Sequence, residues 1–277
     1  MDLVFRFRSY QFDTRPPLKT TMSRDILLQL LNDHFGHQQF RSKEQEDAVK
    51  TLIDGKEDVF VNIPTGGGKS LIYQLPAVAS INKVTIVVSP LIALIQDQLD
   101  QLVKTGIVGK TIHSKLSEIE RKHVEDDLGA EHPTTRLLYV TAERCATRSF
   151  RDLLTLMMEN NSLAYFVIDE AHCVSDWGND FRPEYKKLGE LRELTRGVSW
   201  AALTASASPE TEQEIVNSLN FGGSYRSFKL PCLRSNLFYD VQFKDTLKVS
   251  IFVYGQGIFF IGSNPPLTPP PSPSLEK

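Results

Sequence analysis

The sequence predicts an α/β domain in which a mainly parallel sheet carries helices on both faces. Strand-like apolar runs recur at Asp58 to Ile63, Val84 to Ser89, Arg136 to Val140, Ala164 to Asp169 and Val198 to Thr204. Helical patterns separate them, and that alternation is the signature of parallel strands joined by crossover helices. The chain has 277 residues, 41% hydrophobic and 23% charged, enough for one substantial core.

Residues 1–22 show no periodicity and contain Pro16-Pro17, so they read as a mobile leader. From Ser23, which can serve as N-cap, Ile26, Leu27, Leu30, Leu31 and Phe35 recur at helical spacing, and Gly36 stops the run. A second helix is expected over Glu44 to Ile53. The strand from Asp58 runs into the glycine turn 64–68, and a helix follows from Ser70 to Ala79. Further helical patterns cover Leu91 to Lys104, Ser117 to Leu128, Glu184 to Thr195 and Pro209 to Leu219. The apolar stretch Val249 to Ile261 is too short, and too polar in its middle, to span a bilayer. The last thirteen residues hold six of the fifteen prolines, an extended, mobile tail that either stays solvated or docks in an SH3- or WW-type groove.

The formal charge of −3 excludes a protein that coats nucleic acid by bulk electrostatics, so any such contact must be a local patch. Cys145, Cys173 and Cys232 lack paired spacing, which predicts reduced thiols and neither zinc nor a disulfide framework. The N-terminus has no continuous apolar run or small-residue cleavage site, so neither secretion nor membrane association is expected.

Chemistry concentrates in two segments. The turn Thr65-Gly66-Gly67-Gly68-Lys69-Ser70 lets backbone N–H groups surround phosphate oxygens at a helix N-terminus. Lys69 can reach terminal phosphates, and the Ser70 hydroxyl can help hold Mg²⁺. Ile63 stands where the strict pattern has its first glycine. A hundred residues on from Lys69, Asp169 and Glu170 follow an apolar run, where open parallel sheets bind ligands. Asp169 suits the same Mg²⁺, directly or through water, and Glu170 can polarise an attacking water. Together the two segments describe a nucleoside triphosphatase.

Read in order, the motifs resemble the first motor lobe of a RecQ-type, superfamily 2, DEAH-box DNA helicase, and most closely the RecQ-five subgroup. The resemblance runs from Ser23 to about Lys244, followed by a divergent tail, 245–277. It implies a RecA-like P-loop fold, and ATP with Mg²⁺ as the energy source. In Phe35 to Arg41 and Gln45 it implies that Gln45 reads the adenine edge while Arg41 and His37 sandwich the ring, His37 standing at an aromatic position. Val87 to Gln98 and Tyr139 to Glu143 resemble segments that touch the DNA backbone. Ser175 to Tyr185 resembles the family's aromatic-rich loop. There Trp177 and Phe181 offer faces for unpaired bases, or else pack over the sheet, and Arg182 can bind a phosphate or approach the nucleotide. Asn179 replaces a usual histidine. Leu203 to Ala207, with Thr204 and Ser206, resembles the motif linking the acidic box to DNA movement, and His172 would relay the nucleotide state.

The resemblance implies 3′ to 5′ unwinding in DNA repair and recombination, single-stranded or partly unwound DNA as partner, and a nuclear location. A second motor lobe, with its arginine fingers, is not evident in the sequence. An arginine finger commonly contributes ~10³ to 10⁵ in rate, so feeble hydrolysis is expected of one lobe alone. Two readings follow: a helicase represented by its ATP-binding lobe, or a short form that binds nucleotide or DNA, or a full-length sibling's partners, without unwinding.

Overall fold

The structure, a computed structural model, describes residues 22–113, 116–175, 182–222, 224–231, 250–254 and 257–261. The chain divides into two compact units, Met1–Cys232 and Leu233–Lys277.

The first unit is a seven-stranded, wholly parallel sheet. Its strands are β1 (Asp58–Asn62), β2 (Val84–Val88), β3 (Gly109–Ile112), β4 (Leu137–Val140), β5 (Leu163–Ile168), β6 (Ser199–Thr204) and β7 (Tyr225–Lys229), in the spatial order β3-β4-β2-β5-β6-β1-β7. Side chains alternate across the sheet, so each strand feeds two cores. Val59, Val61, Val87, Tyr139, Val167 and Leu203 pack on one face, and Phe60, Ile86, Val88, Leu138, Phe166 and Trp200 on the other.

The first face is covered by α1 (Arg24–Phe35), α2 (Lys43–Asp54), α3 (Leu71–Ala79) and α4 (Ile92–Thr105), through residues such as Leu31, Leu52, Tyr73 and Leu102. The second is covered by α5 (Glu118–Leu128), α6 (Ala142–Cys145), α7 (Arg148–Glu159), α8 (Pro183–Lys186) and α9 (Pro209–Ser218). The expected α/β class with helices on both faces is what the molecule has.

Local chemistry explains the element ends. Ser23 Oγ accepts the Ile26 N–H at α1's start, and Gly36 ends that helix in the left-handed region at φ 69°. Cys145 and Cys173 are free and buried, and burial pushes the Cys145 thiol up. Cys232 lies outside the described residues. Among the described residues no helix is long and apolar enough to cross a membrane.

One expected helix is corrected. Glu184 to Thr195 is not a single α-helix but α8 followed by a 3₁₀ turn over Lys187–Arg192. The buried residues there are Tyr185, Leu188 and Leu191, a three-residue spacing that a 3₁₀ helix stacks on one line and an α-helix would splay. Gly189 also passes so close to the Ser218 carbonyl that a Cβ would collide with it.

In the second unit, Ser250–Tyr254 (β8) and Gly257–Ile261 (β9) pair antiparallel, with Tyr254 opposite Gly257. This hairpin falls in the stretch read only as an apolar run too short for a bilayer. Its sequence signal is Gly255-Gln256 between two apolar segments, a two-residue loop with glycine first. The proline-rich end lies outside the described residues.

Candidate functional site

β1 ends at Asn62, and the chain then turns into α3. Within the turn the Gly67 N–H bonds the Pro64 carbonyl at 2.9 Å, and Gly66 and Gly68 take φ of 81° and 85°. Those angles favour glycine over any L-residue with a Cβ. Gly67 is glycine for another reason: a Cβ there would collide with the Ile63 side chain and lie 2.9 Å from the Pro64 oxygen. Ile63 is itself fully buried. The position that departs from the strict glycine pattern is therefore a core residue, and the close approach falls four residues later.

Two side chains from outside brace the turn. Gln45, buried in α2, donates from Nε2 to the Gly68 carbonyl at 2.9 Å and accepts the Arg41 N–H through Oε1 at 2.9 Å. The Arg41 guanidinium donates to the Gly66 carbonyl. Residues expected at the base thus also hold the phosphate turn, and Gln45 retains one N–H and one lone pair for a ligand.

Asp169 and Glu170 follow β5. The Asp169 N–H bonds the Val88 carbonyl at 2.9 Å, and Asp169 Oδ1 accepts the Glu170 N–H at 3.0 Å. Glu170 sits in the left-handed region at φ 48°, a conformation uncommon outside glycine that turns its carboxylate toward His172. Burial pushes the Asp169 carboxyl up to about 6, with the Glu170 charge adding to the rise and Lys69 and His172 opposing it. Glu170 is held below its ordinary value, first by its bond to His172 and then by Lys69 against burial. His172 is raised to about 10 by the Cys173 side chain and by Glu170. Its Nδ1 lies 3.3 Å from Glu170 Oε2 and 3.1 Å from Thr204 Oγ1. Thr204 Oγ1 donates to the Ser206 carbonyl at 3.2 Å and faces the Ser206 N–H at 3.3 Å. His172, Thr204 and Ser206 are therefore one connected group spanning the ends of β5 and β6.

A cavity of about 460 Å³ gathers His37, Arg41, Gln45, Thr65, Gly66, Gly68, Lys69, Ser70, Asp169 and Glu170 along its wall. Gln39, from the segment expected at the base, lines it too, as do Gln101 and, from the segment expected to touch the DNA backbone, Leu94 and Gln98. Leu94, Gln98 and Gln101 fall at i, i+4 and i+7 on α4, one helical stripe, which is the signal that could have found them. The donor set suits a phosphate-bound Mg²⁺. It combines a buried carboxylate raised by lack of water, a hydroxyl on Ser70 that caps no helix N–H, and a lysine across the cavity.

A second cavity, about 640 Å³, opens at the C-terminal ends of β2, β3 and β4. Arg121, Arg144 and Arg182 line it with His113, Thr141 and Thr147. Arg144 is held by Glu125 Oε1 at 2.8 Å and Ser149 Oγ at 2.9 Å, and Arg182 lies 3.6 Å from Glu143. Glu143 lines the cavity as well, so the three arginines, set against Glu143 and Glu125, leave a small local excess of positive charge of the kind the net charge conceals. Trp177 and Phe181 lie outside the described residues, as does Asn179.

Comparison with known proteins agrees with this geometry. A family model described as DEAD/DEAH box helicase matches residues 42–215. The chain is 47% identical over 232 residues to ATP-dependent DNA helicase Q5 of Rattus norvegicus, covering 83% of this chain and 24% of that protein. It is 36% identical over 255 residues to ATP-dependent DNA helicase RecQ of Haemophilus influenzae, covering 90% of this chain and 39% of that one. A hypothetical ATP-dependent RNA helicase from Sulfolobus tokodaii shares the fold at TM-score 0.55 and 17% identity, over 75% of this chain and 57% of that chain. The chain thus spans 24% and 39% of the length of these two curated relatives.

Proposed function

Because the chain belongs to the DEAD/DEAH box helicase family, we propose that it acts as the ATP-binding lobe of a RecQ-type helicase that moves 3′ to 5′ on DNA. Residues 23–244 form that lobe in this reading, after a leader (1–22) and before a divergent tail (245–277). One observation carries the proposal: Lys69 and Ser70, a hundred residues away in sequence, share a cavity wall with Asp169 and Glu170.

Gln45, Arg41 and His37 receive the base, and Thr65 to Gly68 with Lys69 receive the phosphates. Ser70 and Asp169 would hold Mg²⁺, which when bound neutralises phosphate charge and orients the terminal phosphate. Glu170, kept ionised by His172, accepts a proton from the attacking water. Its Oε2 contacts His172, which leaves Oε1 to face that water. His172 Nδ1 contacts both Glu170 and Thr204, which supports its assignment as the relay toward Ser206 and the DNA-facing elements. Arg182 and the cationic cavity support a partner made of single-stranded or partly unwound DNA, because paired guanidinium groups suit a phosphodiester backbone. Trp177 and Phe181 supply stacking faces in this reading. DNA repair and recombination in the nucleus belong to the same proposal.

ATP turnover by the purified chain, with and without single-stranded DNA, tests it, with Lys69→Ala as the blank. DNA-stimulated turnover above the blank is the expected outcome for a working cleft. Nucleotide binding without turnover would leave a binding module that needs a second lobe, and no binding at all would sink the proposal.

A further inference from the structure

Beneath the phosphate turn lies a pair of tyrosines with no part in the chemistry above. Tyr73 is one turn into α3, on the helix face shared with Ser70, whose carbonyl accepts the Tyr73 N–H at 3.3 Å. Tyr139 is in β4, two residues before Thr141. Both are fully buried in the core that α3 and α4 cover, and neither hydroxyl completes a hydrogen bond. Next to Tyr73, Gln74 donates from Nε2 to Gln98 Oε1 of α4 at 3.1 Å. Gln98 in turn lines the nucleotide cavity.

These groups stand near enough to influence one another. Burial holds Tyr73 well above its ordinary range, with Tyr139 and Asp169 adding to the rise and Ser70 working against it. Burial likewise pushes Tyr139 up to about 12, while Gln74 and Tyr73 oppose it and Asp169 adds to it. Buried hydroxyls in native cores nearly always have partners, so two orphans side by side call for a reason. A serine hydroxyl that gives a lone pair to a cation still has a proton to place, and the Tyr73 hydroxyl, close enough to feel Ser70, can accept it.

We propose that when Mg²⁺ and nucleotide engage Ser70, the Tyr73 and Tyr139 hydroxyls close a hydrogen-bonded chain from that serine through Gln74 to Gln98. The two phenols are thus positioning residues for the cation-bound state, and the chain ties the phosphate turn to α4. The inference rests on the ATP-site reading.

Tyr73→Phe and Tyr139→Phe remove only the hydroxyls. In the nucleotide-free protein each variant keeps, or raises, the wild-type melting temperature, because no bond is lost. In titrations with a fluorescent non-hydrolysable ATP analogue plus Mg²⁺, each binds about three- to tenfold more weakly than wild type, the worth of one hydrogen bond. In EDTA the three proteins bind the analogue alike. Equal affinities in Mg²⁺ overturn the inference and leave the ATP site standing. A lower melting temperature in the nucleotide-free variants overturns it too, since the hydroxyls would already be bonded for the fold. Wild type that binds no better than Lys69→Ala removes the ATP-site reading and this inference together.

Discussion

Asp169 is a buried carboxylate that the fold alone does not want. Its folded-state value of about 6 lies above the unfolded 3.8, so the native state takes up a proton between those values. Stability is therefore lost as pH rises through that window, on the order of 3 kcal/mol once the group is fully ionised. Asp169→Asn should accordingly raise the melting temperature of the nucleotide-free chain at pH 7.5. The same variant should lose Mg²⁺-dependent nucleotide binding, and a variant that melts lower would contradict the burial argument. In wild type, Mg²⁺-dependent affinity should fall about tenfold per pH unit below 6, beyond the fall set by the nucleotide's own phosphates, because Asp169 as the proposed ligand must be ionised. Lys69→Ala should abolish the thermal shift that nucleotide produces while leaving the nucleotide-free melt in place. An undiminished shift would reassign the phosphate site.

At the level of elements, β1 is tied at its start as carefully as at its end. Asp58 Oδ1 accepts the Trp200 N–H at 2.9 Å, and Oδ2 accepts the Gly222 N–H at 3.3 Å and pairs with Arg192. The Arg192 guanidinium also lies over the Trp200 and Phe221 rings, at 4.9 and 5.7 Å. Asp58→Ala would strand a half-buried guanidinium and the buried Trp200 N–H, so urea unfolding should show a loss of about 3–5 kcal/mol. Nucleotide affinity of the folded variant should be unchanged, because β1 separates the two ends by roughly 17 Å. Elements with strong local signals were legible in the sequence: the capped α1, the glycine turn, and the apolar strands that end at the proposed site residues. Helix α7 was passed over although Phe150, Leu153, Leu154 and Met157 mark its buried stripe. The edge strands β3 and β7 were missed because Gly109-Lys110-Thr111-Ile112 and Tyr225-Arg226-Ser227-Phe228-Lys229 are short and half polar, as edges are. Gln45's brace on Gly68, and the tyrosine pair, depend on contacts between distant segments, which no local pattern encodes.

The whole molecule carries a net charge of −3 and still gathers Arg121, Arg144 and Arg182 around one cavity. Binding of single-stranded DNA, the proposed partner, should therefore weaken with salt, with a slope of about −0.7 for each phosphate contacted in the plot of log affinity against log salt. Arg182→Ala should make that slope shallower by about 0.7, and an unaltered slope would move the DNA path elsewhere. The sheet order also fixes a distance. Between the phosphate turn after β1 and the acidic pair after β5 lies a single strand, β6, whose Thr204 pairs with Asn62 and meets His172. The gap between the two halves of the site is thus metered by two strand spacings, about 10 Å of backbone pitch, rather than by any side chain. The hundred or so residues that join them along the chain make no contribution to that gauge. Loops in the crossovers can lengthen or shorten with the chemistry still in step, whereas one residue inserted within β6 would throw the two halves out of alignment.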